Sequence, residues 1–145
     1  MLEDNKMKII INDCYGGFGI SNLALKEYYK QKGIELFFYK QTKYHFMDGQ
    51  DLFVKISENE NVSNMTYAVS IDCGDSTDNI SDKENFSFNT ERTDPILISI
   101  VEELGEKANA VYAKLKVIEI PDGIEYEIDE YDGVESIHEK HRSWG

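Results

Sequence analysis

The chain predicts an α/β fold, and three observations carry that prediction. A β-branched run passes through a glycine-rich turn into an amphipathic stretch; a capped apolar helix begins at Pro95; alternating apolar and polar residues follow it. At 145 residues there is room for one core, so a single domain over 1–145 is expected. Its predicted plan is a mixed sheet with a βαβ-like N-terminal half, an irregular middle of strands and loops, and a C-terminal β-hairpin followed by a short helix.

Each element has its own reason. Met7-Lys8-Ile9-Ile10-Ile11-Asn12 reads as a strand buried on both faces. Asp13 to Ile20 is the glycine-rich turn, Ser21 or Asn22 caps the helix after it, and Gly33 ends that helix. Ile34 to Tyr39 is the next strand. Asp51–Ile56 and Thr66–Ile71 are short strand-like runs, and the polar stretch from Gly74 to Asn89 reads as a mobile loop. Thr93 or Asp94 as cap, with Pro95 at the first helical position, opens a helix whose Leu97, Ile100, Val101, Leu104 and Ala108 fall at helical spacing. Leu115–Ile120 and Ile124–Ile128 flank Pro121-Asp122-Gly123, which predicts a hairpin. Asp132-Gly133 is expected to turn the chain into a polar helix from Val134 to Arg142.

Composition narrows the function. With 15 Lys and Arg against 28 Asp and Glu, the net charge of −13 repels nucleic acid and anionic membrane surfaces, so neither partner is expected. No stretch approaches the roughly 18 apolar residues of a membrane span. The polar start, Met1 to Lys6, has no apolar signal core behind it, which predicts a cytoplasmic chain. Cys14 and Cys73 lie in no metal-type spacing and read as reduced thiols, and no cofactor or metal is expected.

Three stretches carry candidate chemistry. In the first, Asn12, Asp13, Tyr15, Gly16, Gly17 and Phe18 form a strand-to-helix turn whose backbone N–H groups suit an anion. Its spacing is neither a Walker motif nor the dinucleotide fingerprint. Asp13 suits a sugar hydroxyl or an amine, and Tyr15 and Phe18 suit a ring. A tight turn beside the sheet explains the glycines equally well. Cys14 near a helix N-terminus is a candidate nucleophile, but Asp13 beside it works against activation. The second stretch, Arg92-Thr93-Asp94-Pro95, offers an arginine fork at a helix start. The competing reading is an Arg paired with a carboxylate; against it, only Arg92 and Arg142 are Arg among the basic residues. The third runs from Tyr131 and Asp132 through His138, His141 and Arg142 to Trp144. The two His at i and i+3 miss the HExxH spacing of a zinc helix, and a solvated helix face accounts for them.

At these stretches the chain resembles a family of small, mostly uncharacterised proteins of bacteriophages that infect Gram-positive hosts. The resemblance rests on Ile10-Ile11-Asn12-Asp13-Cys14-Tyr15-Gly16-Gly17-Phe18-Gly19-Ile20-Ser21, on Arg92-Thr93-Asp94-Pro95 and on Val101 to Gly105. Ile118 to Asp122, Glu130-Tyr131-Asp132-Gly133 and Glu139-Lys140-His141-Arg142-Ser143-Trp144 complete it. It covers both ends of the chain and omits the middle, and it brings no catalytic residues. It implies a phage protein in the cytoplasm of the infected host. Phages carry small proteins that sequester nucleotide signals of host immunity, such as cyclic ADP-ribose isomers and cyclic oligonucleotides. The expected function is therefore sequestration of a nucleotide-derived small molecule. Phosphates would sit on Arg92, Arg142 and backbone N–H groups, with a base or ribose on Tyr15, Phe18 or Trp144, in a pocket closed by a two-fold dimer. The alternatives are a small hydrolase or transferase of nucleotides or nucleotide sugars using His138, His141, Asp13 or Cys14, and an acidic inhibitor that binds a host protein.

Overall fold

The computed structural model describes residues 6–15, 17–60, 66–80, 85–87 and 91–140. In chain order these form β1 (Lys6–Asn12), α1 (Asn22–Gln31), β2 (Phe37–Lys43), the single-turn α2 (His45–Asp48), β3 (Leu52–Ile56) and β4 (Thr66–Val69). There follow β5 (Ser76–Thr77), α3 (Pro95–Leu104), a 3-10 turn (Gly105–Ala108), β6 (Leu115–Pro121), β7 (Tyr126–Tyr131) and β8 (Val134–Glu139). Helices and sheets together make the expected α/β class. No helix among the described residues is long and apolar enough to cross a membrane.

Both long helices start where side-chain chemistry dictates. Ser21 caps α1 by accepting from the Ala24 N–H at 3.1 Å, and Ala24, Leu25 and Tyr28 form its buried stripe. Asp94 caps α3 by accepting from the Ile96 N–H at 2.9 Å, with Pro95 at the first helical position. The other Asp94 oxygen accepts from the Tyr28 hydroxyl, so one carboxylate both starts α3 and ties it to α1. Leu97, Ile98, Ile100 and Val101 of α3 pack with Ala24 and Tyr28 of α1 against Ile10 of β1. A second cluster joins Leu25 to Leu36, Phe38, Ile56 and Ala68. Ile20 and Tyr29 border both clusters, which makes the helical layer continuous with the larger sheet.

The pairing departs from expectation in three ways. First, β1 and β2 do not form a parallel βαβ sheet. β1 pairs antiparallel with β6, from Lys6 opposite Pro121 to Asn12 opposite Leu115. β2 sits inside a separate antiparallel sheet of order β4-β2-β3-β5. The other edge of β1 is closed to β2, because the Ile10 N–H donates to the Arg92 carbonyl at 2.9 Å and the Asn12 N–H donates to Glu135 at 2.8 Å.

Second, β6 and β7 do not pair across Pro121-Asp122-Gly123. β6 is committed to β1 along its whole length, and β7 pairs with β8 instead. Third, 134–139 is a strand, not the first part of a helix. Asp132 (φ 51°) and Gly133 (φ 89°) are the two left-handed residues of a tight hairpin loop, closed by Tyr131 opposite Val134. Asp-Gly between two strand-forming segments is a strong hairpin signal, and it sets the structure of the residues beyond it.

The described parts of the 74–89 stretch are docked. Ser76–Thr77 pairs with β3, Ile80 is buried against Tyr39, Phe53 and Val69, and the Phe86 N–H donates to Ala68 at 2.8 Å along the β4 edge. The remaining positions of that expected loop lie outside the described residues.

Asp94→Ala is expected to lower stability by about 1–2 kcal/mol, because it removes the α3 cap and the Tyr28 partner together. Chemical denaturation of the variant beside Tyr28→Phe checks this; equal stability of wild type and Asp94→Ala would contradict it.

Candidate functional site

The site is built outward from Asn12, the last residue of β1, which is fully buried. A buried amide must satisfy its donors and acceptors, and Asn12 does so on three separate loops. Its Nδ2 donates to the Cys14 carbonyl at 2.6 Å and to the Gly133 carbonyl at 2.7 Å. Its Oδ1 accepts from the Lys114 N–H at 2.8 Å. The Asp13 N–H completes the junction by donating to the Lys114 carbonyl at 2.8 Å. One side chain thereby holds the glycine turn, the loop before β6 and the β7–β8 hairpin tip at one pole of the molecule.

Gly133 shows how close the contact is. A Cβ there would lie 2.5 Å from the Gly17 N and 2.5 Å from the Tyr15 carbonyl oxygen, so the hairpin tip fits only without a side chain. Gly17 itself has φ 89°. The hairpin tip therefore lies against the glycine turn's backbone, including the N–H of Gly17 that the sequence offered to an anion.

A buried ion pair locks the same junction. Arg92 Nη1 and Nη2 donate to Glu135 Oε1 and Oε2 at 2.5 and 2.8 Å, a bidentate fork. Glu135 Oε1 also accepts from the Asn12 N–H, and Arg92 Nη1 reaches the Ile10 carbonyl at 3.3 Å. The Arg92 guanidinium lies 3.6 Å from the centre of the Phe18 ring, which covers it. Side-chain exposure is 15% for Arg92 and 8% for Glu135. Burial opposes ionisation of Glu135, but the hydrogen bonds from Arg92 and the Asn12 N–H, with the charge of Arg92, outweigh it and hold the carboxyl below its ordinary 4.5.

The structure thus unites Asn12, Asp13, Tyr15, Gly17, Phe18, Arg92, Tyr131 and Asp132, but in unequal roles. Asn12, Phe18 and Arg92 are spent on internal contacts, and Asp94 on its cap and Tyr28. Asp13, Tyr15, Tyr131 and Asp132 face solvent, with Tyr15 75% and Tyr131 77% exposed. His138 is not brought to this pole: it lies in β8, about 13 Å along the strand from Val134. Lys140, the last described residue before the tail, is farther still. Gly16, His141, Arg142 and Trp144 lie outside the described residues.

His138 does meet Ser136 and Asp129, the types of a serine–histidine–aspartate relay. Its Nε2 is 3.0 Å from Ser136 Oγ and 3.2 Å from Asp129 Oδ2. Both partners compete for one ring nitrogen, whereas a relay needs the carboxylate on the other. No metal-binding group of His, Cys, Asp or Glu occurs among the described residues.

Two participants have other neighbours than the sequence predicts. A helix from Val134 would group Glu135 with His138 and His141; only with Asp132-Gly133 as a hairpin loop does it stand next to the glycine turn. Tyr112, 63% exposed, lies in the loop that Asn12 anchors through Lys114, and only the long-range β1–β6 pairing brings it here.

No family model, curated protein or solved structure matches the chain.

Removing either partner of the fork leaves the other charge buried and unpaired. Arg92→Ala and Glu135→Ala are each expected to cost about 3–5 kcal/mol, with the double variant well short of the sum. Urea unfolding of all three measures this, and an additive result would show that the pair is not coupled. Because folding depresses the Glu135 carboxyl, its contribution is present above pH 4.5 and is lost as the pH falls through the lower folded value. The stability gap between wild type and Glu135→Gln should therefore narrow below pH 4.5, as followed by thermal unfolding from pH 7 to 3; a constant gap would contradict the assignment.

Proposed function

We propose that this protein works by occupancy, binding a nucleotide-derived small molecule and withholding it from its receptor. We place that activity in the cytoplasm of a phage-infected bacterium, on the resemblance to small phage proteins. The observation that carries the reading is the exposed chemistry of the locked pole. Tyr15 and Tyr131 emerge from backbone segments that touch at Gly133, with the carboxylates of Asp13 and Asp132 beside them.

Tyrosine rings supply stacking surface at low entropic cost, and a carboxylate is a recurrent partner of ribose hydroxyls. The nucleoside part of the ligand therefore belongs here. Phosphate on Arg92, as the sequence suggested, would have to displace Glu135 from a two-pronged buried contact. A two-fold dimer closing over this pole would cover the side of the ligand that one chain leaves open.

A second reading has its own support. Tyrosines rimmed by carboxylates on a chain of net charge −13 also suit a basic protein surface, and an inhibitor of a host protein would use the same pole. An enzyme is less well supported, since Asp13 and Cys14 lie at one end of the β7–β8 hairpin and His138 toward the other.

Protein purified from bacteria with an active defence system, heat-denatured and analysed by mass spectrometry, separates these readings. The expected result is an intact nucleotide at close to one per chain, or one per dimer if the site is shared, lost in Tyr131→Ala. Release of a cleaved product would indicate turnover. A host protein that co-purifies and dissociates with salt, with no small molecule released, would favour the inhibitor.

A further inference from the structure

The loop between the 3-10 turn and β6, residues 109–114, belongs to the same pole but to none of the predicted site stretches. Its position is fixed at both ends. The Ala110 N–H donates to the Gly19 carbonyl at 3.3 Å, the Lys114 N–H donates to Asn12 Oδ1, and the Lys114 carbonyl accepts from Asp13 N–H. Between those anchors Val111 and Tyr112 stand out into solvent. Tyr112 makes no ring contact among the described residues, in contrast to the interlocked Tyr28, Tyr29 and Phe86 of the core.

Lys114 matters for charge. It lies just beyond the end of the β1–β6 ladder, where its carbonyl accepts from the Asp13 N–H, so the two residues are backbone neighbours. Lys114 is exposed, and no ion pair engages its ammonium among the described residues. Arg92, by contrast, is neutralised by Glu135. Lys114 also lines a groove of about 460 Å³ that runs past Val101, Gly105, Glu106, Asn109 and Ala113, so a ligand group beside it has room to extend.

We infer that residues 109–114 form the third wall of the binding site, with Tyr112 as a further stacking ring and Lys114 as the group that holds the ligand's phosphate. This rests on the nucleotide-binding reading and assigns to Lys114 the role that the sequence gave to Arg92. A nucleotide would then lie with its base among Tyr15, Tyr112 and Tyr131, its ribose toward Asp13 and its phosphate on Lys114. Lys114→Gln removes the charge and keeps a polar side chain, and Lys114 and Tyr112 are both exposed, so substitution at either leaves the Asn12 contact to the Lys114 backbone in place.

The test titrates wild type, Lys114→Gln, Tyr112→Ala and Tyr15→Ala with adenosine 5′-monophosphate and with adenosine, by calorimetry and by amide chemical shifts. Lys114→Gln should weaken the monophosphate about tenfold and leave adenosine unchanged. Tyr112→Ala should weaken both by roughly tenfold. Amide shifts at 109–114 should move together with those at Tyr15 and Gly133. If wild type binds the monophosphate and Tyr15→Ala weakens it, while Lys114→Gln and Tyr112→Ala do not, the third wall is overturned and the nucleotide reading stands. If neither probe binds wild type, the nucleotide reading falls, and this inference with it.

Discussion

The contact on which the pole depends is the fork between Arg92 and Glu135. The β7–β8 hairpin has no ladder to either of the other sheets, and a two-stranded hairpin is marginal by itself in water. Among the described residues, a set of polar bonds ties one end of it to the rest: Glu135 to Arg92 and to the Asn12 N–H, and the Gly133 carbonyl to the Asn12 amide. A buried ion pair recovers little more than the cost of desolvating its two charges, so its value here is positional. It admits one docking of the hairpin, because a fork needs two carboxylate oxygens in plane and Gly133 tolerates no other approach. This explains why Arg stands at 92 in a chain that otherwise relies on Lys: an ammonium cannot make the two parallel bonds, nor lie flat on Phe18.

Elements whose signals are local were legible in the sequence. A cap at Ser21 or Asn22, a cap at Thr93 or Asp94, Pro95 and the run Ile9 to Ile11 each act within a few residues; in the structure Ser21 and Asp94 take the caps, and Pro95 and the run do what their chemistry predicts. Partners set by distant pairing were not legible. The turn chemistry of Pro121-Asp122-Gly123 is real, with Gly123 at φ 83°, yet a turn does not specify that its flanks pair with each other. β6 is bound instead to β1 across most of the chain.

The β8 strand was hidden for a different reason. Strand recognition relies on inward positions being apolar, and in β8 the most buried side chain is the carboxylate of Glu135. With the inward position polar, the segment shows no apolar alternation and reads as a polar helix. The same residue that obscured the strand is the one that docks it. The rarity of Arg argues for a ligand at Arg92 and against a carboxylate pair, yet the structure pairs it with Glu135, because composition cannot tell an arginine waiting for a ligand from one already holding a carboxylate.

That distinction bears on how the pole works. The buried polar groups at the junction have partners: the Asn12 amide is engaged on both sides, Arg92 and Glu135 pair with each other, and Glu130 Oε1 takes the Gly133 N–H at 2.8 Å. Groups paired in this way tie the backbones of three loops together. Tyr15, Tyr112 and Tyr131 are therefore presented from anchored positions, and little loop entropy remains to be lost when something settles among them. A catalyst gains from groups poised to change protonation or bonding, whereas a sequestering protein gains from a surface that is already ordered. The bonds of this junction order a surface, which is what the proposed sequestration would use.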